Sequence, residues 1–122
     1  MKEKRKIYLD YQASTPTDER VLNEMQEFYL KEFGNPHSTN HIYGWNASKA
    51  IDLSRQTISN YLGIKEDEII FTSGATESNN LAIIGTCLKN KEKKRNKILI
   101  SSLEHPCVIE SAEFAKKYLN YK

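Results

Sequence analysis

The 122-residue sequence predicts an α/β protein, in which a mainly helical first half precedes a β-α-β-α half that begins a doubly wound parallel sheet. Two observations predict the sheet. Residues 69–72 and 98–101 are continuous apolar runs, which are typical of strands buried on both faces. Each run is followed by residues with helical periodicity, and a helix of that kind is the crossover that parallel strands need.

The composition indicates a soluble globular chain, since 39% of its residues are hydrophobic and 28% are charged. The net charge of +2 is too balanced to build a nucleic-acid surface. No apolar run is long enough for a signal peptide or a membrane span, so we expect no membrane partner and a cytoplasmic location. The 2 cysteines form neither a disulfide framework nor a metal-ligand spacing.

The first half begins with a predicted strand at residues 7–11, which ends in small polar residues and a proline. Thr17 or Asp18 can cap the helix that follows. We expect this helix to end near Phe33, because Gly34 is placed as its C-terminal stop. The apolar residues of the helix fall on one face: Val21, Leu22, Met25, Phe28 and Tyr29.

A second helix is predicted over residues 45–62, with Gly63 as its stop. The segment before it is a loop, because Pro36 cannot continue a helix. His37 and His41 have the i, i+4 spacing of a helical metal pair. Since both follow Pro36 in that loop, we favour structural roles for them over metal ligation.

The second half alternates strands and helices. The strands are predicted at 69–72 and 98–101, one helix covers residues 76–88, and Pro106 opens the next. Together with residues 7–11, this gives a sheet of only three strands and an incomplete domain. Such a sheet leaves apolar faces uncovered, which predicts low solubility or reliance on a partner.

The first candidate site is the loop that follows the strand at 69–72. Ligands of parallel α/β sheets bind beyond the carboxyl ends of the strands, where helix N-termini are exposed. Gly74, free backbone N–H groups and the hydroxyls of Ser73 and Thr76 make an anion site there, most naturally for a phosphate. The alternative is an ordinary turn in which Ser73 or Thr76 caps the helix and Glu77 faces its dipole.

The second candidate site is at residues 101–106, where the next strand ends and a helix again begins. It lies one β-α-β unit downstream, so we expect His105 beside Thr76 at the same edge of the sheet. An imidazole there could stack on a flat cofactor ring and move protons, since its ordinary pKa is about 6.5. The alternative is a histidine that only hydrogen-bonds a neighbour. Cys107 could be stabilised as a thiolate in the first helical turn, but we interpret it as a small buried hydrophobe.

Several segments of the sequence, taken together, carry a family resemblance. They are YLDYQASTPTD at 8–18, FGNPHS at 33–38, YGW at 43–45, IIFTSGATESNNLAI at 69–83 and EH at 104–105. In identity, order and spacing they resemble the cysteine desulfurases that serve iron–sulfur cluster assembly, within the class V aminotransferase-like group of pyridoxal-phosphate (PLP) enzymes. The match covers nearly the whole chain, and TSGATESNNLAI is its most specific stretch.

The resemblance implies a PLP-transferase fold of type I, with a parallel or mixed sheet. Residues 1–63 would be part of the small domain, and residues 64–122 would begin the PLP-binding large domain. The backbone and hydroxyl around Ala75 and Thr76 would hold the cofactor phosphate. His105 would stack on the pyridine ring and assist proton transfers as a catalytic residue.

The implied reaction converts L-cysteine to L-alanine and transfers the sulfur, by way of an enzyme persulfide, to an iron–sulfur scaffold protein or another acceptor. The resemblance also implies a homodimer in full-length relatives. Three family residues have no matching position in residues 1–122: the Schiff-base lysine, the Asp on the pyridine nitrogen and the persulfide cysteine. In addition, Pro106 stands where the family usually has a basic or polar residue, and we expect this change to alter how His105 is presented.

We therefore expect a truncated or split desulfurase chain, inactive alone and active only if the missing part is supplied in trans. The alternative is a non-catalytic remnant or an interaction module of the same fold. Binding of PLP and release of sulfide from cysteine would separate these two hypotheses.

Overall fold

The computed structural model describes residues 6–90 and 95–122. These residues fall into two compact units, of which the first ends at Ile69 and the second begins at Ile70. The helices of the described residues follow one another in this order: α1 (Glu19–Leu30), α2 (Ile42–Leu62), a short 3-10 helix (Glu66–Glu68), α3 (Ala75–Lys89) and α4 (Pro106–Leu119).

Helix α1 begins as the sequence predicts, because the Asp18 carboxylate accepts a hydrogen bond from the backbone N–H of Arg20 at 2.9 Å. Its predicted end near Phe33 is wrong, since the helix stops at Leu30. Gly34 has a different role: a Cβ at this position would overlap the backbone carbonyl of Tyr43. The glycine therefore allows two backbone segments of the first unit to approach closely and does not terminate the helix.

The apolar face of α1 is not covered within the described residues. No residue of this helix is buried. The exposed fractions of five apolar side chains range from 40% to 71%: Val21, Leu22, Met25, Phe28 and Tyr29. This agrees with the expectation that apolar helix faces are left uncovered.

Helix α2 starts three residues before the predicted Trp45. The cause is His41, whose Nδ1 accepts a hydrogen bond from the backbone N–H of Gly44 at 3.2 Å and so caps the helix. The predicted stop at Gly63 is confirmed, since this residue has the left-handed φ of 68° that terminates many helices. The indole N–H of Trp45 also donates to the Thr39 carbonyl at 2.8 Å, which fixes the loop before the helix.

In the second unit, α3 and α4 pack against each other and run in the same direction. Near their starts, the Asn79 amide donates to the Cys107 sulfur at 3.2 Å. Near their ends, the Tyr121 hydroxyl donates to the backbone carbonyl of Cys87 at 3.3 Å. Cys87, Tyr121 and Ala115 form the small core between the two helices. Both helix N-termini therefore lie at one end of this unit.

The predicted β-α-β-α sheet is not confirmed. No strand is assigned in the parts of the chain that the structure describes, although strands were predicted at 7–11, 69–72 and 98–101. The physical reason is that a strand requires a second backbone to satisfy its N–H and C=O groups. An apolar run predicts the strand, but it does not provide that partner.

One pairing characteristic of a parallel sheet is present at the end of the second unit. The backbone N–H of Lys122 donates to the Asn96 carbonyl at 2.8 Å, and the N–H of Ile98 donates to the Lys122 carbonyl at 2.9 Å. This staggered pair of bonds is the pattern of parallel strands. Of the predicted strand at 98–101, only the first residue, Ile98, takes part in these two bonds, and Leu99 is 95% exposed.

None of the helices in the described part is both long and apolar enough to cross a bilayer.

Candidate functional site

The first turn of α3 carries N–H groups that no side chain of the described residues caps. Gly74 occupies the N-cap position and provides no side-chain acceptor. The other α-helices of the described residues each have one, from Asp18, His41 and His105 respectively. Since the first four N–H groups of a helix have no partner within the helix, an uncapped start leaves donors for an external acceptor. This arrangement suits an anion.

The loop before α3 is held by Glu77, which lies in the first turn. Its carboxylate accepts hydrogen bonds from the backbone N–H and from the hydroxyl of Ser73, both at 2.7 Å. These two bonds, the backbone bond first, hold the pKa of Glu77 below its ordinary value of 4.5. Because the Ser73 hydroxyl donates to Glu77, it does not cap the helix. It is also already engaged, so the predicted contribution of Ser73 to an anion site is wrong.

The hydroxyl of Thr76 is available to bind a ligand, because the neighbouring polar groups bond to one another. The hydroxyls of Thr72 and Ser78 lie 2.6 Å apart, and Ser78 also donates to the Gly74 carbonyl at 3.1 Å. The Thr76 side chain is exposed, and no hydrogen bond to its hydroxyl occurs among the residues described. Apart from Gly74 itself and its two chain neighbours, no heavy atom of the described residues lies within 4 Å of the position that a Cβ on Gly74 would take. A ligand can therefore approach the backbone at Gly74 and the hydroxyl of Thr76 together.

His105 caps α4 with its imidazole ring. The Nδ1 atom accepts a hydrogen bond from the backbone N–H of Cys107 at 3.3 Å and lies 3.0 Å from the Cys107 sulfur. The ring is exposed, whereas Cys107 is buried. Within the described part of the chain no hydrogen bond reaches Nε2, so this nitrogen is available to a ligand.

The structure brings the predicted residues Ala75, Thr76 and His105 to one end of the second unit. Ala75 and Thr76 open α3, and His105 is the N-cap of α4. The hydrogen bond between Asn79 and Cys107 joins these two helix starts. The roles of the three residues in cofactor binding and catalysis stay predictions.

Sequence reasoning missed the contribution of Asn79 and only partly described Cys107. The interpretation of Cys107 as buried is confirmed, with 7% of its surface exposed, but its sulfur also contacts His105 and Asn79. The only available signal was the position of Asn79, one helical turn after Ala75. His41, considered as a metal ligand, caps α2. No group of three or more His, Cys, Asp or Glu side chains that could hold a metal ion occurs among the described residues.

The known proteins that match this chain belong to the family that the sequence segments resemble. The model of the aminotransferase class-V family matches residues 7–122. The mitosomal cysteine desulfurase of Trachipleistophora hominis is 45% identical over 113 residues, which are 92% of this chain and 26% of that protein. The cysteine desulfurase IscS of Rickettsia akari is 45% identical over 111 residues, covering 91% of this chain and 27% of that protein. The chain thus spans about a quarter of the length of these curated relatives.

A solved structure of a NifS-like protein superimposes with a TM-score of 0.78 and 38% sequence identity, covering 95% of this chain and 30% of that one. This likeness supports the predicted PLP-transferase fold. The relatives include a mitochondrial cysteine desulfurase of Candida albicans as well as the Rickettsia protein. The predicted cytoplasmic location is therefore not confirmed.

Proposed function

The chain belongs to the aminotransferase class-V family, and on this premise we propose that it provides the N-terminal part of a cysteine desulfurase. The reaction converts L-cysteine to L-alanine, while an enzyme cysteine takes the sulfur as a persulfide and passes it to an acceptor for iron–sulfur cluster assembly. Bound PLP supplies the electron sink that this chemistry needs. The relatives and the two helix starts of the second unit support this proposal.

The observation that carries the proposal is the uncapped start of α3. The N–H groups of Ala75 and Thr76 and the Thr76 hydroxyl would bind the PLP phosphate, and the helix dipole favours its negative charge. The residues fit this group, because no side chain among the described residues accepts from these donors and the space over Gly74 is open. Glu77 does not occupy the donors, since its carboxylate is directed to Ser73.

His105 is proposed to act on the ring side of the cofactor. Its exposed imidazole can stack on a pyridine ring, and its Nε2 can hold or move a proton. The bond from the Cys107 backbone to Nδ1 keeps the ring at the start of α4 while it does so.

The rest of the proposal concerns the groups that this chain lacks, its domains and its partners. A lysine that holds PLP covalently, an Asp on the pyridine nitrogen and a persulfide cysteine would come from a further segment or from a second chain. Residues 1–63 would belong to the small domain and residues 64–122 to the PLP-binding domain. A homodimer and a scaffold protein as sulfur acceptor complete the proposal. We expect no sulfide release from L-cysteine by residues 1–122 alone.

Binding of pyridoxamine 5′-phosphate to the purified chain tests the cofactor site. This amine form of the cofactor cannot form an imine with surface lysines, so its binding reports the phosphate and ring contacts. We expect Thr76→Val to weaken binding by about tenfold, because a hydrogen bond to a charged group contributes roughly 1.5 to 3 kcal/mol. Isothermal titration calorimetry gives the dissociation constants, and pyridoxamine without phosphate should bind far more weakly.

Thr86→Val is the matched control, since Thr86 is an exposed threonine near the other end of α3. It should leave the affinity unchanged. Equal affinities of the wild type and Thr76→Val would contradict the proposed phosphate site. Absence of binding by all variants would favour the alternative of a non-catalytic interaction module, for which the exposed apolar face of α1 is the supporting observation.

A further inference from the structure

Three side chains form a hydrogen-bonded series where α3 and α4 begin. The amide nitrogen of Asn79 lies 3.2 Å from the Cys107 sulfur, and this sulfur lies 3.0 Å from Nδ1 of His105. The backbone N–H of Cys107 reaches the same Nδ1 at 3.3 Å. The series starts on a partly buried residue of α3, passes through a buried thiol and ends at an exposed imidazole.

The donors in this series determine where the protons are. A backbone N–H can only donate, so Nδ1 of His105 accepts from Cys107 and carries no proton itself. A neutral imidazole with a bare Nδ1 has its proton on Nε2. The amide NH₂ of Asn79 also only donates, so the Cys107 sulfur accepts there and directs its own S–H to Nδ1. All three contacts agree on one arrangement of protons.

We infer that Asn79 and Cys107 are positioning residues that hold His105 in the tautomer with its proton on Nε2. Neither residue needs to touch the cofactor to do this. The relevance of the inference rests on the proposed function, since it leaves Nε2 as the single nitrogen of the ring that exchanges a proton with a ligand. The Cys107 thiol therefore has a role besides filling space in the core, which is to fix the tautomer of His105.

Cys87 is the comparison for Cys107, because it is equally buried but its sulfur makes no hydrogen bond within the described residues. Both cysteines are 7% exposed, and both lie in the second unit. Within the described residues the Cys87 sulfur makes no hydrogen bond, and only its backbone carbonyl is used, by Tyr121. A change from cysteine to alanine therefore removes the same atom from the core at both positions, but it removes a contact to His105 at Cys107 alone.

Nitrogen-15 NMR of the imidazole rings in the full chain tests the inference without any cofactor. The chain has 3 histidines, and a His105→Gln variant identifies the signals of that ring. In the wild type we expect an unprotonated Nδ1 and a protonated Nε2 for His105. In Cys107→Ala the ratio of the two neutral tautomers should fall by roughly fivefold, the effect of one hydrogen bond worth about 1 kcal/mol. Cys107→Ser should restore it, because a hydroxyl can donate as the thiol does.

Two controls separate this effect from a general loss of packing. Cys87→Ala should leave the His105 signals unchanged. The His41 ring, whose Nδ1 accepts from Gly44, should be constant in every variant. Should Cys107→Ala fail to fold, Asn79→Ala keeps the thiol and should still lower the ratio, by a smaller factor.

An unchanged ratio in the folded Cys107→Ala chain, or an equal change in Cys87→Ala, would overturn the inference. So would an unchanged ratio in Asn79→Ala if this variant has to serve as the test. The outcome is independent of the proposed function. A tautomer shift together with absent binding of pyridoxamine phosphate would retain the positioning role and reject the cofactor site.

Discussion

The starts of α2 and α3 each contain a glycine. One of these glycines is closely packed by the chain, and the other has open space beside it. Gly44 is buried, donates its N–H to His41, and has the Ser38 carbonyl where a Cβ would stand. Gly74 has open space over it and belongs to a helix start without a side-chain cap. At the start of α2 a side chain of the same unit accepts the N–H of Gly44, whereas no side chain of the described residues caps the start of α3 and the space over Gly74 is open. A glycine at a helix start therefore indicates a ligand only when the chain does not fill the space around it.

The largest expected effect is on the stability of α2. Gly44→Ala places a methyl group against the Ser38 carbonyl, and we expect it to lower the free energy of unfolding by about 3 kcal/mol, as overpacking does. Gly74→Ala is the control and should cost less than about 0.5 kcal/mol, a typical surface value. Urea denaturation followed by circular dichroism measures both. Similar losses in the two variants would break the comparison.

The next effect concerns the ligand at α3. Gly74→Asp supplies the missing cap and puts a carboxylate where the phosphate is proposed to bind. We expect the affinity for pyridoxamine phosphate to fall at least about tenfold, since two like charges about 4 Å apart cost roughly 1 to 4 kcal/mol near a surface. Stability should rise by only a few tenths of a kcal/mol. Calorimetric titration and urea denaturation give the two quantities, and undiminished binding would show that the phosphate lies elsewhere.

A smaller effect is expected from removing the cap of α2. His41→Ala leaves the N–H of Gly44 without an acceptor, which should lower the free energy of unfolding by about 1 kcal/mol. Thr76→Ala provides the contrast, because the Thr76 hydroxyl has no hydrogen bond among the described residues. It should change stability by less than about 0.5 kcal/mol. Thermal unfolding of the two variants at one pH measures both changes. An equal decrease in stability in the two variants would contradict the assignment of His41 as the cap of α2.

The smallest effect is the pH dependence due to Glu77. Its pKa in the folded chain is lower than the ordinary value of 4.5, so its ionised form stabilises the fold above that value. This contribution is lost as the pH falls through the lowered pKa. Glu77→Gln should therefore show a weaker decrease in the urea midpoint on acidification than the wild type. Asp18, whose pKa is lowered by its bonds to the Arg20 side chain and backbone, contributes separately and can be removed with Asp18→Asn. Parallel curves for Glu77→Gln and the wild type would refute the role of the Ser73 bonds.

The helix boundaries show which structural signals are local. The start of α1 at Asp18, the end of α2 at Gly63 and the start of α4 at Pro106 each follow from the chemistry of one residue, and all three were predicted. The start of α2 was missed because histidine is not among the usual N-cap residues. The predicted stop at Gly34 was wrong, since that glycine serves a contact with Tyr43.

The candidate site shows the same division between local and tertiary information. That Thr76 and His105 lie at the same end of one unit follows from the order of the elements. The link through Asn79 and Cys107 joins residues 28 positions apart, and no local pattern predicts it. The predicted strands depend on partners that an apolar run does not provide, so they could not be established in the same way.

The distribution of two residue types makes the units separately observable. The one tryptophan of the chain, Trp45, lies in the first unit, where its indole N–H is bonded to Thr39. Both cysteines are buried in the second unit. Intrinsic fluorescence therefore reports unfolding of the first unit, and the rate of thiol labelling reports opening of the second. A single unmodified sample can show whether the two units lose their structure together or one after the other.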